Sequence, residues 1–207
     1  MDHTRNASNP PRITPVPDSA LGPPALVQAI AQRRGGTLLN LDRMLLRSPV
    51  FASGWNGFMG AIRTQLSLDP CLRELAICTV AVETDAAYEW SQHAPEFLAA
   101  GGSQAQLDAL QGDKPSANTQ AFSATERAVI ALAQAMTRDV RVDDAVFAAV
   151  QALLPDAQQQ VELVGVIASY NMVSRFLVAL QVPMEADMQA DAQTDMPGAG
   201  AAFSGIS

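Results

Sequence analysis

The stretch "LPDAQQQVELVGVIASYNMVSRFLVAL", residues 154–180, constrains the fold more than any other part of the chain. Apolar positions at Val161, Val164, Ile167/Ala168, Met172, Phe176 and Ala179/Leu180 recur close to the 3.6-residue period of a helix. The same period appears in shorter runs, which predict helices over 24–34, 38–46, 51–66, 70–83, 85–100, 103–111, 123–138 and 142–153, with the long one over 156–180. The punctuation agrees. Asp69-Pro70 supplies a cap followed by proline at the first helical position. Ser123 to Glu126, "SATE", is a capping box. Gly101-Gly102 ends one helix, and Ser103 caps the next. No run alternates with the period of a strand, so the fold class is all-α.

Hydrophobic residues make up 48% of the 207 and charged residues 16%, which allows a substantial core. The apolar residues are mostly Ala, Leu and Val, which suits close-packed helices. Residues 1–18 contain Pro10, Pro11, Pro15 and Pro17 and few apolar side chains, and read as a disordered arm. Residues 186–207 read as a disordered tail. The folded domain is therefore expected over 19–185. A Pro/Ser/Asn/Gln-rich segment, 113–122, divides it into halves of about 20–112 and 123–184. Each half carries a tyrosine on a longer helix, Tyr88 and Tyr170, which suggests two related helical halves.

The net charge of −8 and a pI near 4.6 argue against nucleic acid or an anionic membrane as partner. A local site for a small anion remains compatible with that charge. Cys71 and Cys78 form no CxxC. On one helix they stand about 10 Å apart along the axis, too far for a disulfide between them. They read as small core residues of a cytoplasmic protein. The N-terminus is polar and shows no secretory signal, and no apolar run approaches the ~20 residues of a membrane span.

The residues suited to chemistry gather in "CLRELAICTVAVETDAAYEWSQHAPEF". Glu89 and His93 stand at i and i+4 and share a helix face. Glu74 lies beside the apolar stripe of the preceding helix, where a carboxylate needs a partner. Arg73, Arg63 or His93 can serve. A turn at Thr84–Asp85 folds the two helices into a hairpin and lets Glu74 meet His93. A carboxylate on one imidazole nitrogen fixes the tautomer and raises the basicity of the other, which is the arrangement of an oriented general acid or base. Pro95 opens the helix near the carbonyl of Ser91. The spacing Glu-x-x-x-His, in a single copy, differs from the paired Glu-x-x-His of di-iron bundles, so no metal is expected. No G-x-S-x-G elbow occurs. "GAGAAFSG" in the tail lacks the strand and helix that a phosphate loop requires.

"LRELAICTVAVETDAAYEWSQHAPEFLAAG" resembles the core motif of carboxymuconolactone decarboxylase-like proteins of the AhpD-like superfamily. Arg73-Glu74-Leu75, Tyr88-Glu89-Trp90, His93 and Gly101 carry the resemblance. Leu41–Trp55 and Val161–Glu185 are similar as well, so it spans about 40–185. It implies an AhpD-like helical bundle assembled as a homo-oligomer, trimer or hexamer, and a cofactor-independent decarboxylase acting on a carboxylated butenolide. The peroxidase branch carries a CxxC where this chain has Ala86 and Glu89, so thiol redox chemistry is disfavoured.

The resulting expectation is a lyase acting on a small carboxylated or lactone-type compound. His93 exchanges the proton, Glu74 orients it, and Glu89 and Tyr88 hydrogen-bond the substrate or a water. Trp90 and Trp55 wall the pocket. Tyr170, Asn171 and Arg175 hold the carboxylate end, arginine being its natural clamp. A thiol-dependent antioxidant and a non-catalytic oligomeric binding protein are the rival classes.

Overall fold

The computed structural model describes residues 10–112 and 120–185. Among these residues there are nine α-helices and no strand. They are α1 (Pro24–Arg33), α2 (Asn40–Leu45), α3 (Pro49–Thr64), α4 (Pro70–Glu83), α5 (Ala87–Ala99), α6 (Gln104–Leu110), α7 (Ala124–Arg138), α8 (Asp144–Leu153) and α9 (Ala157–Leu180). Each falls within a few residues of its predicted span, because local caps set the ends. Asp69 accepts from the amides of Cys71 and Leu72. Ser123 with Glu126 and Ser103 with Gln106 both close capping boxes.

The α4 helix is the hub. Every residue from Glu74 to Ala81 is buried, and α4 packs against α5, α7 and α9. Its partners come from both predicted halves, so the halves share one continuous core rather than forming separate units. Most of the 113–122 connection lies outside the described residues.

The long α9 is present, but the stripe that signals it coincides with its buried face only in part, at Ile167. Val161 is 72% exposed and Met172 38% exposed, while Leu163, Val166, Ile167, Tyr170, Val173 and Leu177 fill the core. The helix is apolar nearly all round, so periodicity establishes the helix without choosing its inner side. By length and composition α9 could also cross a membrane, contrary to the expectation that no run approaches a span. Here it serves as a core helix, with Leu163, Val166 and Ile167 fully buried.

The N-terminal arm needs correction too. Residues 10–18 are docked, not free. The Arg12 amide and guanidinium donate to the carbonyls of Leu180 and Ala179. Val16 is buried and its amide donates to the Arg43 carbonyl. The Arg47 guanidinium donates to the carbonyls of Thr14 and Pro15. Prolines remove donors from this segment, and Arg47 of the folded body satisfies two of its carbonyls. Residues 1–9 and the proposed tail, 186–207, lie outside the described residues.

Gly101 and Gly102 position α5. Gly101 adopts φ +105°, the left-handed conformation that ends the helix. Gly102 lies flat on Phe97, where an added Cβ would stand 2.3 Å from the ring. Phe97 is fully buried and cannot retreat. Gly102→Ala is therefore expected to cost about 1–3 kcal/mol, read as a lowered urea midpoint with an unchanged slope.

Candidate active site

The hairpin between α4 and α5 builds the site. Asp85 takes φ +53° and the Ala86 amide returns to the Ala81 carbonyl at 2.9 Å, which reverses the chain. Nineteen residues of separation then collapse to a contact: His93 Nδ1 lies 2.6 Å from Glu74 Oε2. Both side chains are almost fully buried. The Arg73 guanidinium donates to the other Glu74 oxygen at 3.1 Å. Burial pushes the Glu74 carboxyl up, but the hydrogen bond and charge of His93, with Arg63 and Arg73, outweigh it and hold the group below its ordinary range. Glu74 is thus an ionised acceptor, and Nδ1–H of His93 donates to it. That leaves Nε2 to face the cavity.

Two groups stand opposite Nε2. Glu89 Oε2 is 3.4 Å away, across one helical turn. Arg63 Nη1 is 3.5 Å away, reaching in from α3. Tyr170 of α9 packs edge-on against the imidazole, with ring centroids 4.9 Å apart. Burial and the neighbouring carboxylates Glu89 and Glu74 hold the Tyr170 hydroxyl protonated well past its usual value, against the opposing pull of Arg63.

These residues line a cavity of about 20 Å³, completed by Arg33, Arg34, Leu41, Trp55, Met59 and Val173. That is room for about one water molecule. A wider depression bounded by Asp18–Gly22, Pro24, Val27 and Gln28 is open surface and lies away from the Glu–His pair. Asp42, buried beneath the rim, receives both nitrogens of an Arg34 fork at 3.0–3.2 Å and lies 3.5 Å from Arg33. Arg33 also donates to Asn56 Oδ1 at 2.5 Å. Arg63 is different. Among the described residues no carboxylate lies within ion-pair distance of its guanidinium, although it is half-buried. Burial pulls its pKa down, but the fields of Tyr170, Glu74, Glu96 and Glu89 more than offset this.

The structure therefore brings together Glu74, His93, Glu89, Trp55 and Tyr170. It does not bring the other nominated residues to the cavity. Tyr88 is buried one position before Glu89, and its hydroxyl donates to Glu185 at 2.5 Å and accepts from the Leu41 amide. Burial, then the Glu185 contact, pushes that phenol up. Trp90, one position beyond Glu89, is turned about 100° away round the helix and packs against the core. Asn171 donates to Thr137 and to the Ile167 carbonyl. Arg175 is exposed and bonded to Asn171. The cations at the cavity are Arg33, Arg34 and Arg63, which sequence reasoning missed as site residues. Arg33-Arg34 before Gly35-Gly36 looks like an ordinary basic helix end, and Arg63 was legible only as a possible Glu74 partner.

Fold and site together define an all-α protein with a buried carboxylate–imidazole pair opening on a cation-rimmed cavity. Residues 49–135 match the carboxymuconolactone decarboxylase family. Among curated proteins no relative matches the sequence. Three solved structures share the fold. A peroxidase-related protein from Silicibacter sp. TM1040 is 16% identical with a TM-score of 0.70, covering 87% of this chain and 97% of its own. A peroxidase-related protein from Ralstonia eutropha JMP134, described as an alkylhydroperoxidase AhpD core, is 17% identical with a TM-score of 0.73, covering 87% and 95%. The debrominase Bmp8 in complex with 2,3,4-tribromopyrrole is 18% identical with a TM-score of 0.70, covering 87% and 95%.

Proposed function

We propose that this chain is a cofactor-independent acid–base enzyme of the lyase type, acting on a small carboxylated or lactone-type compound. The observation that carries the reading is the Glu74–His93 contact of 2.6 Å with the far imidazole nitrogen turned to a cavity. Decarboxylation beside an unsaturated lactone needs a stabilised dienolate and then a proton delivered to carbon. The Glu74–His93 pair is the machinery for moving that proton. Arg63, half-buried and without a carboxylate at ion-pair distance among the described residues, takes the substrate's carboxylate in place of Arg175. Trp55, Met59, Leu41 and Val173 give the ring an apolar wall. A carboxylated ring exceeds the one-water cavity, so binding moves a wall, as lids and loops do in many enzymes.

A thiol mechanism of the peroxidase kind finds less support. Neither Cys71 nor Cys78 lines the cavity, and burial is the main influence raising both thiols, which suppresses the reactive thiolate. The neighbours' names span more than one chemistry, and a fold hosts many; the residues of this site favour proton transfer.

The test is to incubate the protein with a carboxylated butenolide in D₂O and follow CO₂ release and deuterium incorporation at carbon by NMR. Wild type is expected to do both. Arg63→Met is expected to weaken carboxylate binding about 10- to 100-fold, the worth of one charged hydrogen bond. If no carboxylated or enolisable compound is turned over or exchanged, or if Arg63→Met binds as well as wild type, the reading is wrong.

A further inference from the structure

Among the described residues, Glu89 is the buried carboxylate with an unpartnered oxygen. It is 3% exposed, and its Oε2 has no hydrogen-bond donor. It lines the cavity and stands 3.4 Å from His93 Nε2, close but not aligned for a hydrogen bond. A bare carboxylate in such a place is costly, and it relieves the cost by taking up a proton. The charged and titratable groups facing it are few. From α4 comes Glu74, backed by Arg73. From its own helix comes His93, from α3 Arg63, from the end of α1 Arg33 and the following Arg34, and from α9 Tyr170. The Arg33–Arg34 pair is committed to Asp42 of α2. His93 already gives its Nδ1 proton to Glu74. One imidazole therefore stands between two carboxylates with opposite surroundings, Glu74 with two good donors and Glu89 with none.

We infer that Glu89 rests protonated and is the acid that delivers the proton to the substrate's carbon, while the Glu74–His93 pair recharges it. Burial, the largest influence on Glu89, raises its carboxyl against the opposing fields of His93, Arg63 and Arg34, whereas Glu74 is lowered. Two carboxyl groups pushed apart by their environments divide into an acid and a base. The inference deepens the proposed lyase reading and rests on it for its second half. In the reaction the C–C bond to the carboxylate breaks and CO₂ leaves. The electron pair passes into the dienolate, which takes the Glu89 proton at carbon. The Glu89 carboxylate then receives a proton from solvent water through His93 Nε2, so one proton is consumed for each CO₂ released.

The resting protein can be tested without any substrate. Infrared spectra of the full chain at neutral pH are expected to show a protonated-carboxyl C=O band that disappears in Glu89→Gln and persists in Glu74→Gln. Titration of wild type alone provides the second measurement. The band should survive past the ordinary carboxyl range and bleach only on further alkalinisation. Absence of the band from wild type at neutral pH, or its persistence in a folded Glu89→Gln, overturns the inference. That failure would leave deuterium exchange intact in wild type, whereas failure of the lyase reading would abolish exchange and leave the band in place.

Discussion

His93→Gln is expected to lower turnover, or carbon–deuterium exchange, by about 10²–10⁴-fold, the usual worth of a positioned acid or base. Glutamine can still donate to Glu74 Oε2 through its amide, replacing the 2.6 Å contact. It cannot take a proton up or release one near neutral pH. The variant should therefore keep its helical circular dichroism and most of its stability while losing the chemistry. His93→Ala should lose activity equally and also lose stability, because it leaves Glu74 buried with only Arg73 beside it. A non-catalytic binding protein predicts the opposite result, in which both variants bind the carboxylated compound as wild type does and no turnover exists to be lost. Full activity in His93→Gln would sink the mechanism.

Glu74→Ala should be the most destabilising of the site substitutions, by about 3–5 kcal/mol, because it breaks a buried pair by removing one partner. The side chain is 1% exposed and lies on the hub helix, against α5, so water cannot replace it. The loss should carry a pH signature. The folded-state carboxyl of Glu74 lies below its ordinary value. Its contribution is therefore present above the unfolded pKa and disappears as pH falls through the folded one. Urea midpoints of wild type and variant should differ most near neutrality and converge toward acid. A gap that holds constant into the acid range would assign the loss to packing rather than to the ionised pair.

The hairpin shows how much of the site could be read in advance. Glu89 and His93 share a face because a helix repeats every 3.6 residues, and Thr84–Asp85 marks a reversal between two helices. Those local rules let Glu74 meet His93, but left Arg73 and Arg63 open as its partners. Arg33, Arg34 and Arg63 were not legible. They reach the same cavity from α1 and α3, about 60 and 30 residues from His93 in the chain, and no local spacing encodes that approach. Arg175 stands outside the cavity lining, which was not legible for a related reason. It lies on a helix whose apolar surface runs nearly all round, so nothing in the pattern told its inner side from its outer side.

The docked arm follows the same division. Its prolines and polar residues predict a chain without regular structure, and residues 10–18 indeed contain only the short 3-10 turn that starts at Asp18. That they are held depends on Arg43, Arg47 and the carbonyls at the end of α9, all distant in sequence. Helix positions, their caps, the all-α class and the Glu–His pair rest on interactions within a few residues or across one turn, and composition and spacing encode these directly. The inner face of α9, the arginine rim and the isolation of Glu89 depend on which surfaces exclude water from one another. Only the packed structure decides that, because burial is a property of the assembled core rather than of any segment.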